Sequence, residues 1–139
     1  MSTESLIKTN QELKIEELSC LDYLELYSYF IELGTELELP NDDCEIVEME
    51  GCQHKVTIAY WMADERMYFC GSSDSRIMKG IIHQLSLIVS GHYPNEIAES
   101  NIFIFDRIGI KSNVSTLRQA GIDKIVETFK EMARNEKSA

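Results

Sequence analysis

Basic residues are scarce in this chain: thirteen lysines and arginines face twenty-four aspartates and glutamates, a formal net charge of −11. Such a field repels phosphate backbones and argues against a nucleic-acid partner. Long apolar runs are absent too, and none approaches the ~20 residues that span a bilayer, so no membrane partner is expected. Met1-Ser2-Thr3-Glu4-Ser5 has neither the basic region nor the apolar stretch of a secretory signal. The expectation is a cytoplasmic protein whose four cysteines stay reduced. No two of them stand in the CxxC spacing of a thioredoxin-like pair. Cys44, Cys52 and Cys70 are scattered, unlike the close ligand pairs of structural zinc sites, so no metal is expected with them, His54 or His83. A glycine-rich phosphate loop, a serine triad and paired catalytic carboxylates are missing as well. Clusters such as Glu36 with Glu38 and Asp42 with Asp43 read as solvated face.

What remains is a chain of 139 residues, 44% of them hydrophobic, enough for one domain over residues 1–139 with a single core. Ser19, with Asp22 three positions on, predicts a helix to about Leu37, and Leu21, Leu24, Tyr27 and Ile31 form its apolar stripe. A shorter helix precedes it, around Leu6 to Leu18, and Cys20 reads as a small apolar residue in the next first turn. Leu39-Pro40-Asn41-Asp42-Asp43 reads as a loop. Ile77, Ile81, Leu85 and Ile88 mark a buried helix, and Gly80 inside it predicts close approach by another element. Pro94 suits the first turn of a short helix, and Asn101 is the expected cap of another ending at Arg107. Ser115 should cap a last helix carrying Leu117, Ile122, Ile125, Val126 and Phe129.

The middle of the chain alternates as strands: Glu45 to Met49, Val56 to Met62 and Arg66 to Gly71. Pairing the first two around Gly51-Cys52 sets Val47 opposite Val56. Pairing the next two around Asp64-Glu65 sets Tyr60 opposite Phe69 and Met62 opposite Met67. Both registers gather Val47, Met49, Val56, Ile58, Tyr60, Met62, Met67 and Phe69 on one face. The fold class is therefore α+β: a three-stranded antiparallel sheet with helices packed on one face. Trp61 and Tyr68 fall on the second face with Cys44 and Cys70. The two cysteines would both stand opposite Ala59, about 9.6 Å apart at twice the interstrand spacing, too far for a disulfide.

Chemistry concentrates in Glu50-Gly51-Cys52-Gln53-His54-Lys55-Val56. A thiol in a turn after a glycine is presented to a partner, and Gly51 leaves room for another protein surface. Read alone, Cys52 is either an inert turn cysteine or a reachable thiolate nucleophile. His54 and Lys55 would favour the thiolate, while Glu48 and Glu50 oppose it. Arg118 is the second candidate, a cation in the first turn of a helix, where the macrodipole disfavours it. With the free N–H groups of that turn it could bind a thiolate, a persulfide or a partner carboxylate. A salt bridge to one of the many carboxylates is the alternative. Asp74 reads as a helix N-terminal cap or charge, and His83 and His92 as structural.

These residues have company. Ile31-Glu32-Leu33-Gly34, Gly51-Cys52-Gln53 with Val56, Gly71 through Asp74, Lys79-Gly80, Pro94, and Arg118 with Gly121 occur in that order. The set, spread from about Tyr29 to Ile122, resembles the SufE family of sulfur acceptors. The resemblance implies a fold shared with IscU-type scaffolds and Cys52 as the sulfur-accepting cysteine. It implies Arg118 nearby, with Gly51, Gln53, Lys55 and Asp74 shaping the loop and the partner surface. It further implies a SufS- or CsdA-like cysteine desulfurase as partner, carrying pyridoxal phosphate, whose turnover the acceptor stimulates. Sulfur would then pass to iron–sulfur cluster assembly on a SufB-like scaffold. The chain itself would hold no cofactor beyond a transient persulfide, acting as a sulfur-transfer accessory protein rather than a free-standing enzyme. Two rival readings are a desulfurase-binding modulator that carries no sulfur and a metal or cluster scaffold. A homodimer is left open. The chain departs from the family pattern at Val47, at His54-Lys55, at Thr57, at Ser115-Thr116-Leu117 and at Ala120.

Overall fold

A computed structural model describes residues 3–38, 43–49, 54–111 and 114–138. Two helices lead, α1 (Thr3–Leu18) and α2 (Tyr23–Gly34). Strands β1 (Glu45–Met49), β2 (Val56–Ala63) and β3 (Arg66–Ser73) follow. The chain then returns to helix in α3 (Arg76–Val89), α4 (Pro94–Glu99), α5 (Ile104–Arg107) and α6 (Thr116–Ser138). The strands form an antiparallel sheet in the order β1-β2-β3. Among the described residues no helix is long and apolar enough to cross a membrane.

The β2–β3 register is the expected one, Tyr60 against Phe69 and Met62 against Met67. It is set by a turn in which Asp64 (φ 52°) and Glu65 (φ 66°) both take the left-handed conformation of a type I′ hairpin. The β1–β2 register differs: Val47 pairs with Ile58, not Val56, and the last pair is Met49 with Val56. The shift is by two residues. An even shift keeps every side chain on its face, so alternation of apolar residues cannot distinguish the two registers. The predicted face accordingly survives, with Met49, Val56, Ile58, Met67 and Phe69 buried. Val47, at the sheet edge, is exposed. Helix α6 covers this face, and Phe129 stacks on Phe69 with ring centroids 4.3 Å apart.

Helix α3 is the central helix, with Ile77, Ile81, Leu85 and Ile88 buried as expected. The element that approaches Gly80 is α2: a Cβ there would overlap the carbonyl of Phe30. Gly34 makes the reciprocal approach, since its Cβ would lie 2.8 Å from Gly80 N and from Lys79 Cβ. This crossing decides which side of α2 is inside. Leu26, Phe30 and Gly34 are buried, whereas Leu24, placed in the apolar stripe by its spacing, is 73% exposed. The helix is apolar over much of its circumference, so spacing alone offers more than one stripe.

Three local expectations change. Helix α2 starts at Asp22, which forms a reciprocal capping box with Glu25, and it ends at Gly34. Ser19 instead donates its hydroxyl to the Glu16 carbonyl at the end of α1. Cys20 lies exposed between the two helices, its Sγ 3.4 Å from the Glu17 carbonyl. The start of α5 is satisfied not by Asn101 but by Gln11 from α1. The fully buried Gln11 accepts the N–H groups of Phe103 (2.8 Å) and Ile104 (3.2 Å) and donates to the Asn101 carbonyl (3.0 Å). Pro94 does open α4, Ser115 caps α6, and Leu117 is exposed while Ile122, Ile125 and Phe129 are buried.

The second sheet face is not open throughout. Ala59 and Cys70 are buried, and Trp61 stacks on Tyr68 at 5.5 Å. At Glu38 the chain lies along the β3 edge, where its carbonyl accepts the Gly71 N–H (3.2 Å). By Glu45 it has entered β1 at the opposite edge. Cys44 sits just before that strand, and its Sγ lies 3.8 Å from Cys70 Sγ. The expected separation of about two strand spacings is thereby overturned. Cys44 is not a strand residue opposite Ala59; Ile46 holds that place.

Candidate functional site

The β1–β2 connection, residues 50–55, joins the pair Met49 and Val56. Gly51, Cys52 and Gln53 lie outside the described residues. The descending side of the connection is described and is firmly held. Lys55 and Asp74 extend the β2–β3 register by one step: the Asp74 N–H donates to the Lys55 carbonyl (3.3 Å). Asp74 Oδ1 accepts the Lys55 N–H in return (3.1 Å) and lies 3.2 Å from His54 Nδ1. One short carboxylate at the end of β3 thus binds two consecutive residues that lead out of the cysteine loop.

Asp74 is therefore not the helix cap. That place belongs to Ser75, whose Oγ accepts the Met78 N–H (3.4 Å) while its own N–H donates to Ser73 Oγ (3.1 Å). The Gly71-to-Ser75 run divides its work: the serines start α3, and Asp74 turns back to the loop. The carboxylate that orients His54 also offsets part of any positive charge there, so His54 and Asp74 act as a unit.

Arg118 projects from the first turn of α6, where its N–H donates to Ser115 Oγ (3.2 Å). Its guanidinium Nη1 donates to the Tyr27 hydroxyl on α2 (2.9 Å). Among the described residues no carboxylate lies within ion-pair distance of it. The half-buried cation is thus held by a neutral phenol, which positions it without neutralising it. Tyr27 has the spacing of a core residue, and only its hydroxyl hints at this second role. A Cβ on Gly121 would lie 3.1 Å from Met78 Cε, so the start of α6 abuts the start of α3, directly after Asp74. His54, Lys55 and Asp74 therefore form one cluster, and Arg118 sits on a neighbouring helix start with Tyr27.

The remaining cysteines and histidines are elsewhere. Burial, then the neighbouring Cys44, push the Cys70 thiol up to about 12. His83 lies half-buried on α3, and burial lowers its pKa. His92 is buried, also with a lowered pKa from burial, and its carbonyl accepts the Met67 N–H (2.9 Å) as an added edge to β3. No group of three or more potential metal ligands clusters among the described residues.

Known proteins resemble this chain both in fold and in sequence. A solution structure of a hypothetical protein from Thermus thermophilus superposes with a TM-score of 0.77, over 94% of this chain and 97% of that one, at 13% identity. That likeness concerns the fold. The sulfur acceptor protein CsdE of Escherichia coli is 30% identical over 107 residues, 74% of this chain and 73% of its own length. An uncharacterised SufE-like protein of Rhizobium etli is 31% identical over 120 residues, 81% of each chain. The model of the SufE family, described as an Fe-S metabolism associated domain, matches residues 11–133, from the Gln11 that ties α1 to α5 through most of α6. By that match over most of its length and by its 30% identity to CsdE, this chain belongs to the SufE family.

Proposed function

We propose that this protein accepts sulfane sulfur on Cys52 from a cysteine desulfurase and passes it toward iron–sulfur cluster assembly. The observation that carries the reading is the match of residues 11–133 to a family associated with Fe–S metabolism, together with CsdE, a sulfur acceptor, as a relative. Cys52 is the cysteine of the loop whose descending side Asp74 holds through His54 and Lys55. In the transfer, the Cys52 thiolate attacks the outer sulfur of the donor's persulfide. The donor's S–S bond breaks, its thiolate leaves, and Cys52 carries the persulfide. Removal of that sulfur frees the desulfurase for another turnover, which is how an acceptor stimulates its donor. The Arg118 guanidinium, carrying no ion pair among the described residues, supplies a positive charge for the anionic sulfur or for a partner carboxylate.

The test is intact mass after incubation with a cysteine desulfurase and cysteine. The wild-type chain should gain one sulfur, lose it to excess thiol, and Cys52→Ser should gain none. If Cys52→Ser stimulates the desulfurase as well as wild type does, the protein docks without carrying and the proposal fails.

A further inference from the structure

Cys44 and Cys70 form a second sulfur centre, apart from the loop. They lie 26 residues apart in sequence, and their sulfurs are in van der Waals contact at 3.8 Å. Ala59 stands between them in register, pairing with Cys70 on one side and Ile46 on the other. The two thiols differ in access. Cys70 is 3% exposed, while Cys44 is only partly buried in the bend before β1. The pair sits at the β1 start, and the Cys52 loop follows the β1 end.

We propose that Cys44 and Cys70 are an oxidative modification site, a dithiol that peroxide converts reversibly to an intramolecular disulfide. Cys44, the more accessible member, attacks hydrogen peroxide first: its sulfur takes one OH group, the O–O bond breaks, and the departing hydroxide takes the Cys44 proton and leaves as water, giving a sulfenic acid. The Cys70 sulfur then attacks that sulfenic sulfur, the S–O bond breaks, and the oxygen departs as water with the Cys70 proton. Two thiols and one peroxide thus become one disulfide and two waters. The order follows from access, because peroxide meets the partly exposed Cys44 before the buried Cys70. The sulfurs must close by about 1.8 Å to reach a bond of ~2.05 Å, with Cys44 outside the strand ladder and Cys70 within it. Transient disulfides of this kind are the form that sensing pairs take in reducing surroundings. Once formed, the bond would tie the entry to β1 to β3 across β2.

The inference stands independently of sulfur acceptance by Cys52. It is tested by titrating the full-length protein with hydrogen peroxide, alkylating the remaining thiols and mapping the peptides. The expected result is a single crosslink between the Cys44 and Cys70 peptides, reversed by dithiol reductant, with Cys20 alkylated throughout. Cys44→Ser should lose the crosslink, and Cys70→Ala should divert Cys44 to sulfinic acid, because no resolving thiol remains. Recovery of Cys44 and Cys70 as alkylated thiols at peroxide levels that oxidise Cys20 overturns the proposal. So does over-oxidation of Cys44 in the wild-type chain without the crosslink, or pairing of either cysteine with Cys20 or Cys52.

Discussion

The β2–β3 hairpin reverses in two residues, Asp64 and Glu65, whereas the β1–β2 connection spends residues 50–55 on the same reversal. Both hairpins share β2, and both bury the same face. They differ in what sets the pairing. The tight turn leaves no choice of register, because its two left-handed residues must sit at the centre. The longer connection is compatible with registers two residues apart, and its side toward β2 is held instead by a side chain, Asp74, from the end of β3. The short turn makes structure; the long one carries Cys52, the proposed sulfur acceptor, and its side toward β2 is held by Asp74.

The largest expected effect tests whether one strand serves both hairpins. Ile58 is fully buried on β2, between Val47 and Gly71. Ile58→Ala should cost about 2–5 kcal/mol in denaturant unfolding, from lost transfer energy and the cavity left behind. A single transition at lower denaturant is expected. Two separated transitions would mean that the hairpins fold as independent units.

Asp74 is the next lever, since it separates the anchor from the sheet. Asp74→Ala removes acceptors for the Lys55 N–H and for His54, and should cost about 1–2 kcal/mol. The functional effect should exceed the structural one, with sulfur acceptance by Cys52 slowed several-fold under conditions where the protein stays folded. Asp74→Asn keeps an oxygen toward Lys55 and should recover most of the stability. Equal rates for Asp74→Ala and wild type would show that the loop needs no anchor.

The contrast between the hairpins also explains what could be read from the sequence. The β2–β3 register was legible because the turn and the alternation agree on one answer. The β1–β2 register was not, because an even shift leaves the alternation unchanged. Gly80 announced a close helix contact, and α2 supplies it. Contacts set by the path of the chain through space left no local trace. Gln11 caps a helix more than ninety residues away, Cys44 reaches Cys70 across β2, and Tyr27 holds Arg118. Each depends on where a connection runs, which neither spacing nor periodicity encodes. By its position alone Asp74 read as a helix cap or charge, a place that the neighbouring Ser75 takes, and only the family resemblance pointed it toward the loop.

A smaller effect belongs to the part of the sheet nearer the tight turn. Tyr60, paired with Phe69 and with Glu45, donates its hydroxyl to Glu136 (2.8 Å). Burial, then the Glu136 carboxylate, raise its pKa to about 12 from an ordinary 10. The unfolded chain therefore ionises first as pH rises. The stabilising contribution is complete below pH 10 and is lost as pH climbs toward 12. Partial exposure and solvent screening keep the size modest. Denaturant midpoints measured between pH 9 and 12 should fall more steeply for wild type than for Tyr60→Phe. Parallel curves would assign the alkaline loss elsewhere.

The smallest expected change is a gain, and it acts on the tight turn itself. Asp64 and Glu65 occupy the left-handed region although neither is glycine. Aspartate tolerates that conformation through its short polar side chain; glutamate has no such compensation, and the left-handed form costs an ordinary residue roughly 1–2 kcal/mol. Replacing the pair by Asn-Gly, the preferred type I′ sequence, should raise stability by about 1 kcal/mol, part of the relief being offset by the extra freedom glycine brings to the unfolded chain. The altered turn lies at the opposite end of β2 from Val56, where the cysteine loop ends. The denaturant midpoint should therefore rise while the rate of sulfur acceptance stays the same. A faster or slower transfer in that variant would mean that the tight hairpin transmits its strain along β2 to the loop, and the separation between a structural turn and a chemical one would no longer hold.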